Sequence, residues 1–157
     1  MYQHILVPID CTDASRNLVP LLAHFVAPLI PCRVTLAVTL TPTPTQNSEL
    51  HDKRRRHASD ALHSVQQLLL QEGIWSGCCL VEGGDPAAAL AAEARNPAEL
   101  YDLIVLGTHQ TRPEDLEAPC RGSFADQICA CTSLPVLILP QRAKGAVAGP
   151  FAVTDSR

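Results

Sequence analysis

Aromatic residues are scarce in this chain: they make up 4% of its 157 residues, and one of them is the single tryptophan. A hydrophobic core must therefore be built mostly from Leu, Val, Ile and Ala. Charged residues account for 18% of the chain and hydrophobic residues for 46%. This balance excludes an intrinsically disordered chain, which combines low hydrophobicity with high net charge. The length suits one domain with one substantial core.

The chain also lacks an excess of basic charge and a long apolar run. Its net charge of -4 leaves no large positive field for a nucleic-acid backbone, so nucleic acid is not expected as a partner. No apolar stretch approaches the roughly 20 residues of a membrane span, so no membrane insertion is expected. The start MYQHILVPID has no basic residues before its short apolar run, which predicts a strand rather than a signal peptide. We therefore expect a cytoplasmic protein.

Seven cysteines are present, but without the CxxC pairs or Cys/His spacing of zinc sites. Adjacent Cys78 and Cys79 should point to opposite faces of a strand. Free cysteine packs as a small apolar residue, so we expect the cysteines to be mostly buried. A redox or metal role is the alternative, with Cys11 and Cys120 as the redox candidates.

Five apolar runs predict β-strands. They are His4–Ile9, Arg33–Leu40, Cys78–Val81, Asp102–Leu106 and Pro135–Leu139. Several have no polar face, which is typical of a parallel sheet covered on both sides. The segments between them predict helices, so the sequence predicts an α/β fold with one open sheet and helices on both faces. Residues 1–140 would form this domain, and 141–157 a partly disordered tail.

Capping residues indicate where the helices begin and end. Helix starts are predicted at Thr12 or Asp13 and at Asp85. A long amphipathic helix is predicted at Glu49–Glu72, with Gly73 as its stop. A short helix is predicted at Ser123–Cys131.

The long helix carries a basic run, KRRRH, at Lys53–His57. It could bind lipid or nucleic acid. A solvated helix face is the favoured interpretation, because Asp52 and Asp60 flank the run and no second basic block supports it.

Ligands of parallel α/β sheets bind beyond the carboxyl ends of the strands, where the strand order reverses. The residues there are Asp10, Thr39, Gly83–Asp85, Gly107–Gln110 and Pro140. Gly122 and Ser123 precede a predicted helix, whose unpaired N–H groups suit a phosphate, although Gly-Ser is also an ordinary cap. Asp10 could bind a ribose or cap the next helix. The P-loop and GxGxxG patterns are absent.

Four segments together resemble the universal stress protein family, and they occur in the family's order. They are ILVPIDCTDAS, GDPAAALAAEA, YDLIVLGTH and GSFADQICACTSLPVLIL. The resemblance covers about residues 2–140. It implies a five-stranded parallel sheet of order 3-2-1-4-5 and a homodimer, often paired through the last strand, here Val136, Leu137, Ile138 and Leu139.

The family's ATP-binding branch implies an adenine nucleotide (ATP, ADP or AMP) between strands one and four, with Mg²⁺ as a candidate companion ion. Asp10 would contact the adenosine, and backbone near Thr39 the base. A G-x2-G-x9-G-[ST] loop would hold the phosphates. The full set of predicted binding residues is Pro8, Asp10, Thr39, Gly107, Thr108, His109, Gln110, Gly122, Ser123 and Phe124.

The phosphate loop departs from the family pattern. Gln110 replaces its middle glycine, and eleven residues, 111–121, precede Gly122 where the pattern has nine. Glu114, Asp115 and Glu117 would repel a polyphosphate, and Arg112, Arg121 and His109 could offset part of this repulsion.

Two hypotheses follow for the function. The chain is a regulatory protein that binds an adenine nucleotide and signals to a partner, or it is a nucleotide-free dimeric adaptor whose acidic loop contacts a protein. No residues pair as a catalytic constellation, so no enzyme is predicted beyond slow ATP hydrolysis.

Overall fold

The computed structural model describes residues 2–42, 48–109 and 124–141. They form a five-stranded sheet of order β3-β2-β1-β4-β5, with every neighbouring pair parallel. The strands are β1 His4–Pro8, β2 Arg33–Leu40, β3 Ser76–Glu82, β4 Leu103–His109 and β5 Val136–Gln141. The helices are α1 Asp13–Val26, α2 Ser48–Gln71, α3 Pro86–Ala94 and α4 Phe124–Cys131, with a 3₁₀ turn, Ala27–Leu29, after α1. The α/β prediction and the strand order implied by the family resemblance are confirmed.

Helices cover the sheet on both faces, and the central strand shows this most clearly. Ile5 and Val7 lie in one buried cluster with residues of α1 and α2, whereas Leu6 lies in a second cluster with residues of α3 and α4. All three side chains are fully buried. A strand buried on both sides has no polar face, which explains the continuous apolar run in its sequence.

Local capping interactions place the helix ends. Thr12 caps α1 by accepting the N–H of Ala14 at 3.3 Å, and Asp85 caps α3 by accepting the N–H of Ala87 at 3.0 Å. After α2, Gly73 takes a φ of 79°, a left-handed conformation that favours glycine. The predicted caps and the predicted stop are therefore the ones that the fold uses.

A polar network ties the amino ends of β1, β2 and β4 together. The carboxylate of Asp102 accepts the N–H of Gln3 at 2.6 Å and that of His4 at 3.1 Å. The buried His4 ring donates from Nδ1 to the carbonyl of Glu99 at 2.6 Å, and its Nε2 lies 2.9 Å from Oγ1 of Thr35. Because these contacts join three neighbouring strands, they hold the amino edge of the sheet closed.

Some element bounds differ from the prediction. Three strands are longer, since β3 begins at Ser76, β4 continues to His109 and β5 continues to Gln141. Gln141 ends β5, and the rest of the predicted tail lies outside the described residues. Among the helices that the structure describes, none has the length and apolar character needed to cross a membrane.

The expectation of buried cysteines is wrong. None of the six cysteines among the described residues is fully buried. Cys78 is exposed on an edge strand while its neighbour Cys79 packs against the second cluster, so the two do point to opposite faces. Burial, followed by the charge of Glu93, raises the pKa of the Cys79 thiol to about 12. Exposed Cys129 and Cys131 lie on α4, and an apolar pattern alone does not show which helix face they occupy.

Gly83 follows β3 at a point where the chain passes very close to α3. A Cβ added at Gly83 would lie 2.5 Å from Cβ of Ala89, whereas one added at Gly84 would meet nothing within 4 Å. A methyl fixed to the backbone cannot rotate away, so we expect Gly83→Ala to lower the free energy of unfolding by about 1–3 kcal/mol. Gly84→Ala should change it by less than about 0.5 kcal/mol. Urea denaturation of the two variants measures the difference, and equal stabilities would contradict this account of Gly83.

Candidate functional site

The carboxyl ends of β1 and β4 separate, and the separation begins at Pro8. The N–H of Ile9 donates to the carbonyl of Ala37 in β2 at 2.8 Å. Backbone groups of successive strand residues point to opposite sides, so those of Pro8 face β4, and proline has no N–H to donate. In the described strands, β1 and β4 pair through Ile5–Leu103 and Leu6–Ile104. The strand order reverses between these two strands, and this is where α/β sheets form binding crevices.

A cavity of about 390 Å³ lies in this crevice. Its wall contains five of the ten predicted binding residues: Pro8, Asp10, Thr39, Gly107 and Phe124. They come from the ends of β1, β2 and β4 and from the start of α4, so the fold brings together residues that are far apart in the sequence.

The other five predicted residues belong to β4 and the loop after it. Thr108 and His109 are the last residues of β4. Residues 110–123 lie outside the described residues. They include Gln110, Gly122 and Ser123, the acidic loop at 111–121 and, within that loop, Cys120. The prediction that Gly107 and Gly122 converge on a phosphate therefore stays a prediction.

Apolar side chains that the sequence did not single out form much of the wall. Val38 and Leu106 come from strand ends, Leu18 from α1, and Pro86 from the start of α3. Such a wall suits a flat apolar group such as a nucleobase. Val38, Leu106 and Pro86 each adjoin a residue that the strand-end rule named, so that rule could have found them, whereas Leu18 depends on how α1 packs.

Asp10 stands at the mouth of the cavity with its carboxylate oriented by two neighbours. Oδ1 accepts the N–H of Thr12 at 3.0 Å and the Thr12 hydroxyl at 2.6 Å. The Ser15 hydroxyl lies 2.7 Å from the same oxygen, and its own oxygen accepts the N–H of Asp10 at 3.0 Å. Since Thr12 is the residue that caps α1, Asp10 is not the helix cap. Its carboxylate is an acceptor that suits hydroxyl donors.

The first turns of three helices reach the same cavity. Ala14 of α1, Pro86 of α3 and Phe124 of α4 all line it. Helix amino ends carry unpaired N–H groups and a partial positive charge, which favour anions. Among the described lining residues, Asp10 is the one charged side chain, so within the described wall the helix amino ends are the groups that favour an anion. The arrangement can hold a ligand with hydroxyls at one end and a negative group at the other.

A smaller cavity of about 170 Å³ lies on the other side of Asp10, between α1 and α2. Its polar lining includes Arg16, His57 and Asp60. The described part of the chain contains no group of three or more His, Cys, Asp and Glu side chains that could hold a metal ion.

Comparison with known proteins identifies the family. The model of the universal stress protein family matches residues 1–140, so the chain belongs to this family. No curated protein matches the sequence.

Solved structures share the fold over nearly their full lengths. The universal stress protein UspA from Lactobacillus plantarum is 26% identical, with a TM-score of 0.66, over 88% of this chain and 97% of that one. A universal stress protein from Archaeoglobus fulgidus, solved in complex with dAMP, is 19% identical, with a TM-score of 0.60, over 87% and 97% of the chains. A family member from Arabidopsis thaliana, solved with AMP bound, is 12% identical, with a TM-score of 0.63, over 94% and 97%.

Cys11 lines the cavity beside Asp10, and its environment disfavours the thiolate. Burial, and to a lesser degree the negative charge of Asp10, raises the pKa of the Cys11 thiol. The redox hypothesis requires that the start of α1 lowers the pKa of the Cys11 thiol. The pKa is raised instead.

Replacing Asp10 with Asn removes one of the two causes of this shift. We expect Asp10→Asn to move the midpoint of Cys11 alkylation by iodoacetamide to lower pH, because the thiolate no longer faces a negative charge. Asp13→Asn is the matched control and should leave the midpoint unchanged. Mass spectrometry of the Cys11 peptide across pH measures both. A change in the high-pH rate without a change in midpoint would show altered exposure instead and would refute the electrostatic explanation.

Proposed function

We propose that this universal stress protein binds an adenine nucleotide in the cavity between β1 and β4. One observation supports the proposal most strongly. The Asp10 carboxylate, an apolar wall and the amino ends of α1, α3 and α4 meet in one cavity, at the point where the strand order reverses. In this proposal the protein acts in the cytoplasm as a regulator, whose nucleotide-bound state is recognised by a protein partner.

Each part of a nucleotide has a matching part of the wall. The base lies against the apolar part of the cavity wall, which includes Val38 and Leu106, with the backbone of Thr39 at its polar edge. The ribose hydroxyls donate to Asp10, whose ionised carboxylate only accepts hydrogen bonds. The phosphate points away from Asp10, since like charges repel, and toward Gly107 and the start of α4. Gln110, Gly122 and Ser123 complete this end, as the family's loop pattern implies.

The volume of the described part of the cavity is compatible with the smallest of the three nucleotides, the monophosphate AMP. At about 390 Å³ it lies near the lower end of ligand pockets, which run from about 300 to 1,000 Å³. Relatives from A. fulgidus and A. thaliana were crystallised with dAMP and AMP, which supports the same class of ligand. Mg²⁺ would accompany a polyphosphate rather than AMP.

A regulatory role is proposed because the cavity holds one charged side chain among its described residues, Asp10. Efficient phosphoryl transfer needs positioned cations and a base around the transferred group. We therefore assign at most slow ATP hydrolysis to this site.

A thermal-shift titration with AMP tests the nucleotide site. At about 100 times its Kd a ligand stabilises the folded state by about 2.7 kcal/mol, so AMP should raise Tm by several degrees. Asp10→Asn should weaken AMP binding about tenfold, the cost of one hydrogen bond to a charged group. Asp13→Asn, which changes an exposed carboxylate outside this cavity, should bind AMP normally.

Dideoxy-AMP, which has no ribose hydroxyls, separates the role of Asp10 from general damage. The wild type and Asp10→Asn should bind it equally, because the hydroxyl donors are gone. If no adenine nucleotide changes Tm at millimolar concentration, the nucleotide-free adaptor hypothesis replaces this one.

A homodimer through β5 is the second part of the proposal. β5 is an edge strand, and its Ile138 is 43% exposed. Pairing of two β5 edges would cover this side chain and give each backbone edge a partner. It would leave the cavity between β1 and β4 in each protomer.

Charge at the centre of this edge should prevent the pairing. We expect Ile138→Lys to shift the protein from dimer to monomer in light scattering after size-exclusion chromatography. Leu21→Lys introduces the same charge at an α1 side chain of similar exposure, 39%, and should leave the dimer intact. A dimer that survives Ile138→Lys would exclude β5 as the interface.

A further inference from the structure

The cavity between α1 and α2 shares a wall with the larger cavity between β1 and β4. Asp10, Cys11 and Ser15 line both of them. The smaller one, the polar cavity, has a volume of about 170 Å³. Pockets for drug-sized ligands begin at roughly 300 Å³, whereas one water molecule occupies about 30 Å³ of the liquid. The polar cavity therefore suits a small molecule rather than a nucleotide.

Charged side chains of both signs line the polar cavity. α1 contributes Asp13 and Arg16, which lie one turn apart, and α2 contributes Asp60. All three residues are exposed. Within the part of the chain that the structure describes, their side chains form no ion pair and no hydrogen bond. Unpaired charges of opposite sign around one cavity are available to the charged groups of a ligand.

Uncharged groups complete the lining. Ala61 and Val65 of α2 contribute apolar surface, and Val65 is buried. The hydroxyl of Ser64 and the imidazole of His57 add hydrogen-bonding groups. The lining thus combines charged positions with an apolar contact for a short hydrocarbon chain.

The balance of these charges indicates the class of ligand. Asp13 and Asp60 are negative and Arg16 is positive, so a ligand that matches all three carries two cationic groups and one anionic group. A guanidinium can bind both oxygens of a carboxylate, and an ammonium group donates to carboxylates. A basic α-amino acid has these three groups, joined by a short methylene chain.

We propose that the polar cavity binds a basic α-amino acid such as lysine. The carboxylate of the ligand binds Arg16, and its two ammonium groups bind Asp13 and Asp60. Its methylene chain lies against Ala61 and Val65. This site is separate from the proposed nucleotide site, although the two share the wall formed by Asp10, Cys11 and Ser15.

Other small ligands leave a charged group of the cavity without a counterpart. A phosphate would match Arg16 but would be repelled by the two carboxylates. A diamine would match the carboxylates but not Arg16. The described residues include no group of three or more His, Cys, Asp and Glu side chains that could hold a metal ion. The basic amino acid is therefore favoured over an inorganic ion or a diamine.

A titration with lysine, followed through the amide NMR shifts of the isotope-labelled protein, tests the proposal. We expect saturable shifts at the start of α1 and around Asp60, with a Kd in the millimolar range, because exposed ion pairs contribute little. The absence of saturable shifts there at tens of millimolar lysine would overturn the proposal.

Two analogues of lysine test the charge match without altering the protein. Norleucine lacks the side-chain ammonium group, and cadaverine lacks the carboxylate. Each should bind about fivefold more weakly than lysine, the cost of one exposed ion pair at the upper end of its range. Equal affinities for the three compounds would contradict the assignment of the charged groups.

Arg16→Gln removes the counterpart of the ligand carboxylate. Lysine and cadaverine should then bind with equal affinity, while lysine should still bind more tightly than norleucine. Arg56→Gln is the matched control, because Arg56 is an exposed α2 arginine outside the polar cavity. It should keep the preference for lysine. If Arg16→Gln also keeps the full preference for lysine over cadaverine, Arg16 does not bind the carboxylate and the proposal is wrong.

Asp60→Asn removes the counterpart of one ammonium group and should weaken lysine binding about fivefold. Asp52→Asn, which changes an exposed α2 carboxylate outside the polar cavity, should not. Both variants should keep the Tm of the wild type without ligand, since surface substitutions change stability little. Lysine that binds Asp60→Asn as tightly as the wild type and competes with AMP would instead occupy the cavity between β1 and β4, and the proposal would fail.

Discussion

Pro8 has no N–H for β4, and the two central strands separate from that residue onward. At the other end of the same strands, Asp102 accepts the N–H groups of Gln3 and His4. The two central strands, β1 and β4, are thus held together at the amino edge of the sheet and lie apart at its carboxyl edge. The cavity lies at the open carboxyl edge, so a small difference in backbone hydrogen bonding determines where the cavity forms.

The electrostatics of the cavity follow from the same topology. Because every strand is parallel, every connecting helix begins at the carboxyl edge of the sheet. The amino end of a helix carries a partial positive charge, so these charges also lie at that edge. Ala14, Pro86 and Phe124 show this for α1, α3 and α4. The described wall can therefore attract an anion without a lysine or arginine. Asp10, which Thr12 and Ser15 hold in place, is the acceptor that the ribose hydroxyls would meet in the proposed complex.

Local rules account for the parts of the fold that the sequence predicts well. Helix ends are set by residues that contact only their near neighbours in the chain, so they can be predicted from the sequence. Examples are the caps Thr12 and Asp85 and the helix stop Gly73. The strands are predicted because burial on both faces leaves an unbroken apolar run. Leu18 and Cys78 show the limit: an apolar residue can face a core, a cavity or solvent, and long-range packing decides among them.

The direction of a bound nucleotide explains why each added phosphate is harder to accommodate. Asp10 repels negative charge, so in the proposed complex the phosphates extend past Gly107, into the loop that follows β4. The sequence of that loop contains Glu114, Asp115 and Glu117. A pair of like charges about 4 Å apart in water costs about 1 kcal/mol, and each added phosphate brings more negative charge to a loop in which Arg112 and Arg121 offset only part of the three carboxylates. In the proposed complex the acidic sequence of the loop therefore disfavours a polyphosphate while the adenosine end of the cavity is kept, and this is why AMP is the proposed ligand.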